Sequence, residues 1–153
     1  MRLQPIFTVI SFTFHICLIA VPIFLTAHNV LWRDSFGAAF PSLPEVATDI
    51  MTVLVIAGGV FFVFRRILSP TVRNVSFKSD FVLVAIVLAP FVTGFMAYHQ
   101  WFDYEVMLIL HIWTGALWLA AIPFTRIVHM LFFVFSRMFM GSEFGAVRKA
   151  KDW

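Results

Sequence analysis

Charge is what this sequence has least of. Only 12% of its 153 residues are Asp, Glu, Lys or Arg, about half the share found in soluble domains. Small soluble domains leave a large part of their surface in water. With 61% hydrophobic residues and a mean hydropathy of +0.95, that surface has no polar cover, and a soluble globular domain is excluded. Cysteine is nearly absent too. The single Cys17 rules out an intramolecular disulfide, a CxxC motif and a thiolate-held iron–sulfur cluster. No glycine-rich phosphate loop, nucleophile motif or carboxylate pair occurs in the apolar stretches, so hydrolase and nucleotide-driven chemistry have no footing. There is no internal repeat and no low-complexity segment. The net charge of +3 and pI near 9.5 do not signal nucleic-acid binding, because the cations sit at the ends of apolar runs and report topology.

What is present is apolar and aromatic, with 20 Phe and 5 Trp. Crossing the hydrocarbon core takes about 20 apolar residues per helix, and the pattern predicts four spans, at about 6–31, 46–64, 80–98 and 104–136. These runs are too long for barrel strands, which alternate at period two. The fold class expected is therefore an all-α integral membrane protein: a four-helix transmembrane bundle over 1–140 followed by a short basic tail at 141–153. Ten of the eleven Lys and Arg residues fall on one side of it: Arg2, Arg65, Arg66, Arg73, Lys78, Arg126, Arg137, Arg148, Lys149 and Lys151. Only Arg33 falls on the other. By the positive-inside rule both termini are cytoplasmic, the loops near 33–45 and 99–105 face outward, and the protein is a multi-pass resident of the cell's inner membrane. The first apolar run exceeds the 7–15 residues of a signal peptide and lacks an A-x-A site, so cleavage is not expected.

Histidine is the informative residue. His15 and His28 lie on the first span, His111 and His129 on the fourth, and His99 at the end of the third. An ionisable residue in a membrane span is a functional hypothesis by default; the structural alternative is interhelical hydrogen bonding. Depth favours function. At 1.5 Å per residue, His15 and His129 both lie roughly 12–13 Å from the inner end, while His28 and His111 lie roughly 5–9 Å from the outer end. Two histidine pairs, His15–His129 and His28–His111, suit two stacked bis-histidine b-type haems, each imidazole giving one axial nitrogen to iron. His111 and His129, 18 residues apart, share a face of a straight helix; His15 and His28, 13 apart, miss alignment by about 140° unless Pro22 kinks the span. Arg126, three residues from His129, suits a haem propionate, because guanidinium matches carboxylate geometry.

Two motifs carry a family resemblance. Arg65-Arg66-Ile67-Leu68-Ser69-Pro70-Thr71-Val72-Arg73 resembles the inner connector of the gamma subunit of respiratory nitrate reductase. Pro123-Phe124-Thr125-Arg126-Ile127-Val128-His129, closing an 18-residue histidine spacing, resembles that family's last haem helix. The likeness covers roughly residues 10–138. The wider His15–His28 spacing and His28-Asn29-Val30-Leu31-Trp32 look more like the membrane cytochrome b subunits of sulfate-reducer-type complexes with heterodisulfide-reductase-like partners. The resemblance implies a di-haem cytochrome b, the electron-transfer subunit of a quinone-dependent oxidoreductase complex. It would exchange electrons between menaquinone or another quinone and a cytoplasmic iron–sulfur subunit, heterodisulfide-reductase-like or nitrate-reductase-beta-like. A periplasmic cytochrome c or further membrane subunits, and the lipid bilayer, complete the expected partners.

His99 stands in the outer-interface sequence Tyr98-His99-Gln100-Trp101-Phe102-Asp103, where Trp and Tyr form the aromatic belt. It reads as a solvated loop histidine, as a proton-handling group beside a quinone, or as a replacement for His28 on iron. Quinone chemistry needs an apolar wall and a polar group that can exchange protons. The outer end offers Tyr98, His99 and Asp103, whereas the inner end offers mostly arginines, which cannot accept a proton. The quinone is expected at the outer end, beside the His28–His111 haem. A reading from another class is a non-redox scaffold or small transporter subunit with structural histidines.

Overall fold

A computed structural model of the chain describes residues 5–149. The described residues are helical, with no strand, and four of the helices are long and apolar enough to cross a membrane. They divide into two compact units, Met1–Gly115 and Ala116–Trp153.

The first unit opens with α1 (Pro5–Phe24), which stops where Leu25 takes an extended conformation at φ −68°, ψ 131°. Helix α2 (Thr26–Phe36) follows at once. The single span expected at 6–31 is therefore two helices. Pro22 explains the weakness of this point: it has no N–H for the ladder and its ring crowds the preceding turn. A loop leads to α3 (Glu45–Leu68), held down by buried Asn29, which donates to Ser42 Oγ at 3.1 Å and accepts from the Phe40 N–H at 3.2 Å. Beyond α3, the one-turn helix α4 (Pro70–Arg73) leads into α5 (Lys78–Tyr98). Buried Asp80 fixes that connector by accepting from the Phe77 N–H at 3.0 Å and from Arg66 Nη1 at 3.1 Å.

Helix α3 packs against both α1 and α5, and small residues set the approach. A Cβ on Gly58 would lie 2.9 Å from Phe14 of α1, and one on Gly59 would lie 2.5 Å from Leu88 of α5. Close backbone approach through small residues is how helices pack where no water is squeezed out. Much of the remaining apolar surface is uncovered, as at Ile6 (74% exposed) and Val46 (72%), which suits a helix whose outer face meets lipid.

The first unit also contains the N-terminal half of α6 (Tyr104–Phe124). Asp103 begins it, its Oδ1 accepting from the Val106 N–H at 3.0 Å as an N-cap. The second unit holds the remainder of α6, a 3₁₀ turn (Arg126–Val128) and α7 (His129–Lys149). The expected span at 104–136 is broken at Thr125, which is extended at φ −130°, ψ 177°. Again a proline, Pro123, lies just before the break. The tail expected from 141 is helical through Lys149; its last four residues lie outside the described region.

Candidate haem-ligand site

His28 is carried by α2 and His111 by α6, and the fold brings their rings together. The ring centroids are 5.9 Å apart and the planes 17° from parallel. The separation is of the size expected of two imidazoles that could hold one metal between them, with bonds of about 2.0 Å.

Hydrogen bonding fixes which nitrogen each ring offers. His28 Nδ1 lies 3.0 Å from the Pro22 carbonyl oxygen, and His111 Nδ1 lies 2.8 Å from the Pro90 carbonyl oxygen. A carbonyl only accepts, so both Nδ1 atoms carry the proton and Nε2 holds the lone pair. Metal-bound histidines are oriented in this way, by donating the other ring N–H to a carbonyl. Both acceptors are proline carbonyls, Pro22 near the end of α1 and Pro90 inside α5. Pro22 is in the last turn of α1, where carbonyls lose their helical partners; the break that splits the span thus supplies the acceptor that orients His28.

Pro90 and Gly94 do the same for His111. Gly94 is one turn beyond Pro90 on α5, and a Cβ there would lie 2.8 Å from Cε1 and 2.9 Å from Nδ1 of His111. The missing side chain is the space in which the imidazole sits and through which it reaches the carbonyl. Thr114, one turn past His111, donates to the Leu110 carbonyl at 2.7 Å and meets Thr93 of α5 at 3.2 Å, tying α6 to α5 beside the ring.

His15 and His129 belong to different units and are each described within their own. His15 Nδ1 is 2.7 Å from the Ser11 carbonyl, and its ring meets Phe14 edge-on at 5.3 Å. His129 is the first residue of α7, its Nδ1 2.6 Å from the carbonyl of Arg126. Both therefore take the same tautomer as His28 and His111. Arg126 opens the 3₁₀ turn and is exposed. Because the helix is broken at Thr125, the straight helix on which His111 and His129 were expected to share a face does not form.

His99 differs from the other four. Its Nε2 is 2.9 Å from Asp49 Oδ1 on α3, whereas the other four present Nδ1 to a backbone carbonyl. Tyr98 donates its hydroxyl to Glu45 Oε2 at 3.0 Å. Asp103, expected beside these residues, is engaged as the cap of α6; the carboxylates that meet Tyr98 and His99 are Glu45 and Asp49. The ring of His99 lies 4.3 Å from Phe95 and 5.9 Å from Trp101. Among the described residues no group of three or more His, Cys, Asp or Glu is placed to hold a metal ion, a pattern distinct from the two-imidazole set at His28 and His111.

Sequence reasoning missed Gly94, the two proline carbonyls and the carboxylates at 45 and 49. One signal was available: Pro22 and Pro123 each precede a histidine by six residues, in Pro22-Ile23-Phe24-Leu25-Thr26-Ala27-His28 and Pro123-Phe124-Thr125-Arg126-Ile127-Val128-His129. In both, the helix breaks between proline and histidine.

No family model matches the chain, and no solved structure matches it. It is similar to a protein of Nitratidesulfovibrio vulgaris strain Hildenborough, described simply as "Protein", with 42% identity over 147 residues. The match takes in 96% of this chain and 65% of that protein, so the chain spans just under two thirds of the relative's length.

Proposed function

We propose that the chain is a membrane cytochrome b, the electron-transfer subunit of a quinone-dependent oxidoreductase complex. The observation that supports this best is the His28–His111 pair: near-parallel rings 5.9 Å apart, each with Nδ1–H spent on a carbonyl and Nε2 left to bind iron. The residues fit a bis-histidine b-type haem. When bound, that group accepts and passes single electrons, its potential tuned by the axial ligands and their hydrogen bonds. The protein's part is to hold both imidazoles in one tautomer, and the Gly94 notch keeps His111 in register. A second b-type haem is assigned to His15 and His129 on sequence grounds, with Arg126 for a propionate; each of those imidazoles spends Nδ1 on a local carbonyl.

Menaquinone or another quinone is the membrane substrate in this reading, taken up beside Tyr98 and His99. The partner in this reading is a cytoplasmic iron–sulfur subunit, as the resemblance of the basic connector at 65–73 and of the segment ending at His129 implies. In this reading, which the cation distribution supports, both termini lie on the cytoplasmic side of the cell's inner membrane and the His28–His111 end faces outward.

The test is the visible spectrum of the chain purified in mild detergent from cells able to make haem. Dithionite reduction should give the Soret and α bands of low-spin b-type haem. No such bands would contradict the reading and leave a scaffold with structural histidines.

A further inference from the structure

The residues at the end of the first unit where α3 begins and α5 finishes form two acid–base pairs that no haem ligation requires. Asp49 Oδ1 is 2.9 Å from His99 Nε2, and Glu45 Oε2 is 3.0 Å from the Tyr98 hydroxyl. We infer that Asp49 and His99 are the proton acceptor for a quinol whose ring lies against Phe95 and Trp101, an inference that rests on the proposed function and assigns its protonic half.

A neutral His99 that donates Nε2–H to Asp49 keeps a lone pair on Nδ1. The carboxylate fixes that tautomer and stabilises the imidazolium formed when Nδ1 takes a proton, as in the serine-protease triad. His99 and Asp49 side chains are 31% and 33% exposed, so the pair is partly sheltered yet open to exchange with water.

The surroundings suit a planar aromatic guest. The ring of Phe95 is 4.3 Å from that of His99 and 5.4 Å from that of Trp101, and the Trp101 ring is 5.9 Å from His99. Trp101 and Phe102 are 62% and 61% exposed, offering apolar surface for a ring and its prenyl tail.

The distance to the haem ligands is short. Gly94, in contact range of the His111 ring, precedes His99 by five residues on the same helix, about 7.5 Å of rise. The His99 N–H still bonds the Phe95 carbonyl at 3.1 Å, so the helical path is continuous.

Oxidation of the quinol releases two electrons and two protons. The electrons would be taken up, one at a time, by the haem that His28 and His111 would hold, which would serve as the one-electron oxidant. At the hydroxyl facing His99 the O–H bond breaks and its proton passes to Nδ1, which then discharges to water; the para hydroxyl, at the far end of the ring, gives its proton directly to water. Quinone reduction runs the same bonds in reverse. Asp49 acts through His99 and is a positioning residue. Glu45 and Tyr98 are the other titratable groups held in this cluster, and Glu45 lies one helical turn from Asp49.

The experiment uses the haem-loaded full chain in detergent, with menadiol as electron donor and stopped-flow recording of haem reduction. Binding of a fluorescent hydroxyquinoline N-oxide quinol analogue is measured separately. His99→Gly should slow reduction at least 100-fold, the scale of general base catalysis, and added imidazole should restore part of the rate. Asp49→Asn keeps a hydrogen-bond acceptor for Nε2–H but loses the charge; it should slow reduction at least tenfold while binding the analogue within about threefold of the wild-type affinity. Wild-type rates in Asp49→Asn, or a slow His99→Gly that imidazole leaves unchanged, with haem bands intact, would overturn the role of the pair and leave the haem reading standing. Absence of haem bands from the wild-type chain would overturn both.

Discussion

At the scale of single residues, the arrangement turns on which nitrogen each histidine keeps. Four of the five spend Nδ1 on a backbone carbonyl, while His99 spends Nε2 on a carboxylate. The sequence left His28 and His99 as alternatives for the fourth ligand; the proposed reading takes His28, because its Nδ1 rather than its Nε2 is the nitrogen engaged. Gly94 is the other decisive residue. Gly94→Ala would put a Cβ 2.8 Å from the His111 ring, and such overpacking costs about 1–3 kcal/mol. The ring must shift against its Pro90 bond, so Gly94→Ala should bind less haem at this site and move the low-spin EPR signal of what remains. An unchanged haem content and EPR spectrum would show that the notch does not position the ligand.

At the scale of elements, breaks carry as much as helices. Four apolar helices were legible in the sequence because an uninterrupted run of about 20 apolar residues matches the thickness of the hydrocarbon and exceeds what a buried core helix needs. The breaks at Leu25 and Thr125 were not. Proline is tolerated within a membrane span, as Pro90 is inside α5, and only the finished fold shows that the histidine six residues on uses or adjoins the interruption. The Asp49–His99 and Glu45–Tyr98 contacts were hidden for another reason: they join residues 50 and 53 positions apart, which no local pattern encodes. Asp103 misled because a carboxylate in an outward loop reads equally as a proton acceptor or as a helix cap. The end of α5 carries a device of its own. Gln100 sits at φ 53°, its N–H bonding the Ala97 carbonyl while the Trp101 N–H bonds that of Met96, both at 3.2 Å, which is a Schellman close with glutamine where glycine is usual. A left-handed non-glycine residue costs about 1–2 kcal/mol. Gln100→Gly should therefore raise the unfolding temperature in detergent and leave haem content unchanged. A lowered unfolding temperature would mean the Gln100 side chain contributes more than its backbone costs.

At the scale of the whole molecule, the cations near the end of α3 fall into two groups. Arg66 is bonded to Asp80 and Ser76, and Arg65 lies 4.0 Å over the ring of Phe7, so both serve the fold. Arg73 and Lys78 are exposed and make no comparable contact among the described residues. If an iron–sulfur partner docks here, reversing Arg73 and Lys78 to glutamate should weaken its co-purification several-fold without loss of haem. Unchanged recovery would move the docking surface elsewhere. The claim on which the rest depends is that His28 and His111 bind one haem between them. Haem per chain, measured as pyridine haemochrome in His28→Ala, His111→Ala and His99→Ala beside the wild type, tests it most directly. The first two variants should each lose the same single haem and His99→Ala none; full haem content in His28→Ala or His111→Ala would show that these two residues share no haem.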